Sequence, residues 1–212
     1  MTDLVLQGTP EWEAQRCGKL TASRFHEAIA RTKTGWSASR KNYRDALVAQ
    51  RMRQLPLEQG WISKAMQQGK EREPQARAAY AFYRDVEVIQ VGFIDHPSIN
   101  MAGCSPDGLV EDDGLVEIKC PETPQHFDML LDEPIKHAYQ VQIAWQLACT
   151  GRAWCDFVSF DPTVDQDLQL KIIRVPRSDE FIAELEREAR TFLAEVDARL
   201  ELLNRIRQKQ AA

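Results

Sequence analysis

The chain has 212 residues, 43% of them hydrophobic and 28% charged, which suits one soluble domain with a full core. No apolar run approaches the ~18 residues of a membrane-spanning helix, so no such helix is expected. The stretch 1–12 also lacks the basic-then-apolar pattern of an export signal, and a cytoplasmic protein is expected. Five scattered cysteines (Cys17, Cys104, Cys120, Cys149, Cys155) form no CxxC pair and read as reduced thiols, neither zinc ligands nor a disulfide frame. The net charge of −5 is unevenly spread. Residues 16–53 hold ten Lys/Arg against two acids, whereas residues 100–135 hold nine acids against Lys119 alone. A basic region beside an acidic one suits a phosphodiesterase, which must attract a backbone and gather cations; the plainer alternative is a solvated basic helix.

Thr9-Pro10 predicts a helix start, cap then proline, running to about Gln15. Gly18 ends it, and Thr21 predicts the cap of a second helix over 22–30. Ser23 then falls in the first turn, where free N–H groups and the helix dipole favour an anion. Arg16 lies just upstream, placed for a phosphate clamp, although first-turn serines also serve as local caps. Residues 31–38 read as a polar loop with Gly35 and Trp36. A third helix, Ser39 to Gln54, would bury Tyr43, Leu47, Val48 and Met52. Pro56 and Gly60 punctuate, and a long helical stretch from Ile62 to Asp85 contains Gly69 and Pro74. Proline costs ~3 kcal/mol inside a helix, so a break or kink is expected near Glu73, aiming that side chain into a cleft. Its local sequence, KEREP, also fits an exposed glutamate.

The period then changes. Residues 86–95 alternate as one strand, and 101–105 lead into a hairpin. A short helix is predicted over 123–131, a stronger one from Ile135 to Thr150, and strands over 154–161 and 168–175. Ser178, with Asp179 and Glu180 behind it, opens a last helix to about 207–208, some 40 Å long at about 1.5 Å per residue. Its stripe is Phe181, Leu185, Phe192, Val196, Leu200 and Leu203, and its far end is expected at the surface or on a neighbour. The order predicts an α/β fold with a mixed central sheet flanked by helices. It divides into a helical part (1–85), a sheet core (86–175) and the C-terminal helix (178–208).

The chemistry concentrates in CSPDGLVEDDGLVEIKCP, Cys104 to Pro121. Asp112-Asp113-Gly114 is a hairpin turn signal that folds Asp107 back towards Glu117. Strand alternation points Glu117 and Lys119 to one side and Val116 and Ile118 to the other. Two carboxylates beside one ammonium suit Mg²⁺ or Mn²⁺, although acid-apolar-Lys is also common on solvated strands. No GxxxxGK[ST] or HExxH motif is present, and the four histidines lack a nucleophile signature.

These residues carry a resemblance. Asp, nine residues, then Glu-x-Lys resembles the PD-(D/E)xK nuclease superfamily, and five blocks in order resemble its lambda exonuclease/YqaJ-type viral recombinase family. The blocks are Trp12 to Ala30, GKEREPQAR (Gly69 to Arg77), CSPDGL, GLVEIKCP and YQVQ (Tyr139 to Gln142). The resemblance implies a restriction-endonuclease-like core that degrades one strand of linear duplex DNA 5′→3′ from a phosphorylated end. It implies Mg²⁺, with Mn²⁺ able to substitute, at two ions per site, held by Asp107, Glu117 and the Ile118 carbonyl. Lys119 would then position the attacking water, with Glu73 and Gln140 nearby. Arg16 and Ser23 would hold the 5′-phosphate, Ser105 would stand beside the first acid, and Lys33 would make an outer phosphate contact. It further implies a ring-shaped homotrimer, a single-strand-annealing partner, and a phage or prophage protein acting in a bacterial cytoplasm. Two other readings stay open: an endonuclease on the same core, and a non-catalytic DNA-end-binding module.

Overall fold

The apolar run GLVEIK becomes the middle strand of a five-stranded sheet covered on both faces, as a strand with so few polar positions requires. The structure, a computed structural model, describes residues 5–56 and 64–211. Gly60 and the expected helix start at Ile62 lie outside them. The chain opens with α1 (Pro10–Arg16), β1 (Leu20–Thr21), a 3-10 turn (Ala22–Arg24) and α2 (Phe25–Ala28). A hairpin of β2 (Arg31–Thr32) and β3 (Gly35–Trp36) leads to α3 (Ala38–Arg53) and α4 (Lys64–Arg84). Then come β4 (Val88–Ile89), β5 (Ile94–Asp95), β6 (Ala102–Cys104), β7 (Gly108–Val110) and β8 (Gly114–Lys119). The remainder is α5 (Thr123–Leu130), α6 (His137–Thr150), β9 (Trp154–Phe160), β10 (Leu170–Pro176) and α7 (Asp179–Ala211).

The central sheet has the order β10-β9-β8-β7-β4 and is mixed, with β8 and β9 parallel and the other pairs antiparallel. The parallel pair needs a crossover, and α5 and α6 supply it. Val116 and Ile118 face α4, packing with Ala76 and Tyr80. Leu115 faces the other way, into the larger core formed by α2, α3, α6 and α7. A second sheet, β1-β6-β5, pairs β1 parallel to β6 in the register Leu20 to Ala102 and Thr21 to Gly103. That pairing brings the N-terminal segment beside the strand that runs into Ser105 and Asp107.

Several elements differ from expectation. The helix expected over 22–30 is a 3-10 turn followed by the single turn of α2. Thr21 is drawn into β1, its N–H goes to the Tyr43 hydroxyl at 3.0 Å, and its side chain caps nothing. The loop 31–38 is a short hairpin, because Trp36 is gripped on one side by Arg31 (3.8 Å) and on the other by Arg40 (3.7 Å). Met52 is exposed rather than buried. α4 runs unbroken through Pro74: the missing N–H removes one hydrogen bond, and the buried Ala76 and Tyr80 pin the next turns to the sheet. The strand expected over 86–95 is two short strands in different sheets. Between them, the N-terminal segment covers the chain, with the Val5 carbonyl against Gly92 and the Gln7 amide donating to the Val91 and Pro106 carbonyls. α7 has 33 residues, about 50 Å at 1.5 Å per residue, longer than expected. Its stripe is buried only to Val196, and Leu202 and Ile206 are exposed. Among the described residues no helix is long and apolar enough to cross a membrane, and all five cysteines are free.

Gly103 is where β6 meets both neighbours. A Cβ there would lie 2.4 Å from the Ile94 carbonyl oxygen and 2.5 Å from the Phe93 ring. Gly103→Ala is expected to destabilise the fold by about 1–3 kcal/mol in urea unfolding.

Candidate active site

The β7–β8 hairpin places the acids. In its register Gly108 pairs with Val116, which sets Asp107 opposite Glu117, and the Asp107 carboxylate accepts the Ile118 N–H at 2.7 Å. The two carboxylates face the same side. Together with Lys119, Ile118 and Glu73 from α4, they line one cavity of about 210 Å³. Arg16, Ser23 and Ser105 line it as well. Eight residues picked from separate blocks of sequence therefore share a single space.

Glu117 is 1% exposed, and a buried carboxylate needs donors. Its Oε1 accepts from the Lys119 ammonium and from Gln142 (2.6 Å), and its Oε2 from Gln146 (2.6 Å). Both amides stand on α6 one turn apart, so they reach the same target. This corrects the glutamine assignment. Gln140 is exposed, turns its amide to the Ile135 carbonyl at 2.7 Å, and is absent from the cavity wall, whereas Gln142 lines it. A signal was present in the sequence: VQIAWQLAC buries nine consecutive residues, and its two polar positions are i and i+4. Two amides on one face of an otherwise apolar helix must meet a buried polar group.

Lys33 does not join the site. It lies in the turn of the β2–β3 hairpin, exposed and outside the cavity wall. Ser23 lines the cavity, but from a 3-10 turn rather than from the start of a full helix, which removes the dipole argument made for it. Arg16 lays its guanidinium over the Trp12 ring at 4.1 Å, and the Trp12 indole N–H donates to Ser105 at 2.9 Å. One aromatic thus braces a cavity-lining residue on each side. Glu73 is half-buried and accepts from Arg77 one turn on, so it is neither freely solvated nor aimed by a break in α4.

Burial drives the Asp107 carboxyl well above the ordinary carboxylate range, and Glu117 adds to the shift. Lys119 and the Ile118 N–H oppose it without cancelling it. Glu73 is raised by burial too, with Arg77 opposing and Glu117 reinforcing. Burial alone would lower the Lys119 ammonium, but Glu117 and Asp107 outweigh it and hold the lysine above its usual value. The site therefore has an excess of buried negative charge that a cation would relieve. Among the described residues no three His, Cys, Asp or Glu side chains could enclose a metal by themselves. Two carboxylates lining an open cavity nevertheless fit Mg²⁺, which keeps waters and shares substrate phosphates rather than demanding an all-protein cage.

Comparison with known proteins identifies the family and the fold. Residues 11–153 match the model of the YqaJ-like viral recombinase domain. The chain belongs to this family. Among solved structures, an alkaline exonuclease from Laribacter hongkongensis is 46% identical, over 95% of this chain and 100% of that one, with a TM-score of 0.88. The same enzyme has been solved in complex with dAMP, with the same identity and coverage. A phage-related exonuclease from Haemophilus somnus shares the fold at 16% identity and a TM-score of 0.71, over 87% of this chain and 96% of that one. No curated protein matches the sequence. The core of this family member is accordingly the PD-(D/E)xK fold.

The raised Asp107 carboxyl makes a prediction for the metal-free protein. Its folded pKa exceeds the unfolded value of 3.8, so the folded state binds the extra proton. Its contribution to stability is full below about 3.8 and is lost as pH rises through the folded pKa. Asp107→Asn should therefore raise Tm at neutral pH and flatten that decline. Millimolar Mg²⁺ should raise Tm in the parent chain and leave the variant unchanged.

Proposed function

We propose that this chain is a metal-dependent exonuclease. It degrades one strand of linear duplex DNA 5′→3′ from a 5′-phosphorylated end, leaving a 3′ overhang for single-strand annealing. The observation that carries the reading is the shared cavity: the acid-acid-lysine group and the pair Arg16/Ser23 line the same 210 Å³. Family membership supports it, as does the 46% identical relative described as an alkaline exonuclease. That relative binds dAMP, the kind of 5′-mononucleotide that exonucleolytic release produces. Its chain is matched along its whole length, which supports a single nuclease domain over 1–212.

Asp107, Glu117 and the Ile118 carbonyl are the groups that would hold Mg²⁺, or Mn²⁺ in its place, at two ions per site. When bound, such ions supply positive charge at the scissile phosphate and acidify water. Gln142 and Gln146 fix the Glu117 carboxylate, so its orientation does not depend on the substrate. Lys119 stays protonated and presents N–H donors that orient the attacking water. Arg16 and Ser23 receive the 5′-terminal phosphate, a guanidinium fork with a hydroxyl, and so set the first phosphodiester over the acids. Glu73 lines the same cavity and, held by Arg77, offers a further acceptor to water or metal there. The chain acts on DNA ends as a ring-shaped homotrimer with an annealing protein as partner, in the cytoplasm of a bacterial host; these points rest on the family resemblance.

Digestion of linear and covalently closed duplexes with and without Mg²⁺ is the direct test. Release of mononucleotides from linear DNA alone, only with metal, is expected; cutting of the closed circle would replace this reading with an endonuclease. Asp107→Ala should lower the rate at least 10³-fold while end binding persists. Arg16→Ala should cost about tenfold or more on 5′-phosphorylated ends and little on 5′-hydroxyl ends, as loss of a charge-assisted contact implies. The two glutamines separate equally sharply: Gln142→Leu should slow the reaction about tenfold or more, and Gln140→Ala should leave it within about twofold.

A further inference from the structure

A second cavity, of about 560 Å³, shares Lys119 with the first as a lining residue. The nuclease mechanism leaves it without a role. Pockets that enclose a whole drug-sized ligand measure roughly 300–1,000 Å³. At 210 Å³ the acid-lined cavity falls below that range and suits phosphates and water rather than a base with its sugar. The larger one falls within it.

Its walls suit a base. Tyr139 and Phe157 meet with ring centroids 5.4 Å apart, and Met129 adds a polarisable face. The floor has a defined polarity. His126 is fully buried and its Nε2 lies 2.8 Å from the Leu168 carbonyl, an acceptor only, so Nε2 carries the proton. The His126 Nδ1 must then accept from the Ser159 hydroxyl, 2.8 Å away. Ser159, itself 1% exposed, thus has its proton committed and turns only lone pairs to the cavity. Three acids, Glu122, Asp128 and Glu133, also line the space. They accept N–H groups and repel phosphate, so backbone is kept out and a base edge is welcome.

The geometry points to a nucleoside subsite: the larger cavity takes one nucleoside of the cleaved strand next to the scissile phosphate, base between Tyr139 and Met129, amino or imino edge towards Ser159. This rests on the nuclease reading and deepens it. It makes Tyr139 and Met129 substrate-contacting residues, and it gives a reason for Lys119 to line both cavities.

The test uses the full chain with Mg²⁺ and 5′-phosphorylated duplexes carrying one abasic residue at the first, second or third position of the cleaved strand. On intact duplex, Tyr139→Ala and Met129→Ala should each raise KM about tenfold, the scale of a lost stacking contact, while Tyr139→Phe stays near the parent. At one abasic position the parent should lose a similar factor, and the variants should lose nothing further. Full additivity at all three positions would overturn the subsite, since Tyr139 would then act only through the Lys119 ammonium that lies 5.2 Å from its ring centroid. Normal KM in both alanine variants would overturn it too. Should Tyr139→Ala fail to fold, Met129→Ala carries the same comparison. An inactive parent chain would instead remove the nuclease reading itself, so the two failures are distinguishable.

Discussion

A carboxylate with 1% exposure survives inside a protein only if donors are built around it, and in this chain Glu117 dictates what packs over the sheet. Its neighbours on β8 are apolar, so the strand must be covered on both faces. The helix on the acid's side therefore has to be apolar enough to pack and polar at two points. α6 is that helix: buried from Val141 to Cys149, with Gln142 and Gln146 turned to the carboxylate. Without those amides the acid would be left to Lys119 alone.

The second constraint is the pairing of β1 with β6. It is only two residues long, yet it decides where the N-terminal segment lies. Thr21 beside Gly103 sets Ser23 and Arg16 within reach of the turn that carries Ser105 and Asp107. Trp12 then fastens the arrangement, holding Ser105 by its indole N–H and Arg16 by its ring. Residues some ninety positions apart in the chain are thereby fixed relative to one another by backbone pairing and one aromatic side chain, the kind of support that gives a site precision.

What could be read from the sequence followed from local rules. The hairpin at Asp112–Gly114, the alternation at Glu117 and Lys119, the cap at Thr9 and the long last helix all depend on neighbours in sequence. The readings that failed depended on partners distant in sequence. Residues 86–95 alternate properly for a single strand, but the N-terminal segment lies over Gly92 and splits it between two sheets. Pro74 should have broken its helix, but α4 is held to β8 through Ala76 and Tyr80. Gln140 and Gln142 are equivalent in a motif and two residues apart, hence some 200° around a helix. Only the position of β8 decides which one faces the acid.

The basic stretch looked in sequence like a surface for binding nucleic acid, and the structure spends much of it internally. Arg31 pairs with Glu188, Arg40 with Glu195 and Arg51 with Asp197, while Arg199 returns the favour to Asp45. α7 is in effect a built-in counter-ion for the N-terminal half. Charge already paired within the chain is less available to a polyanion, so this flank offers a phosphate backbone less than its ten basic residues suggest.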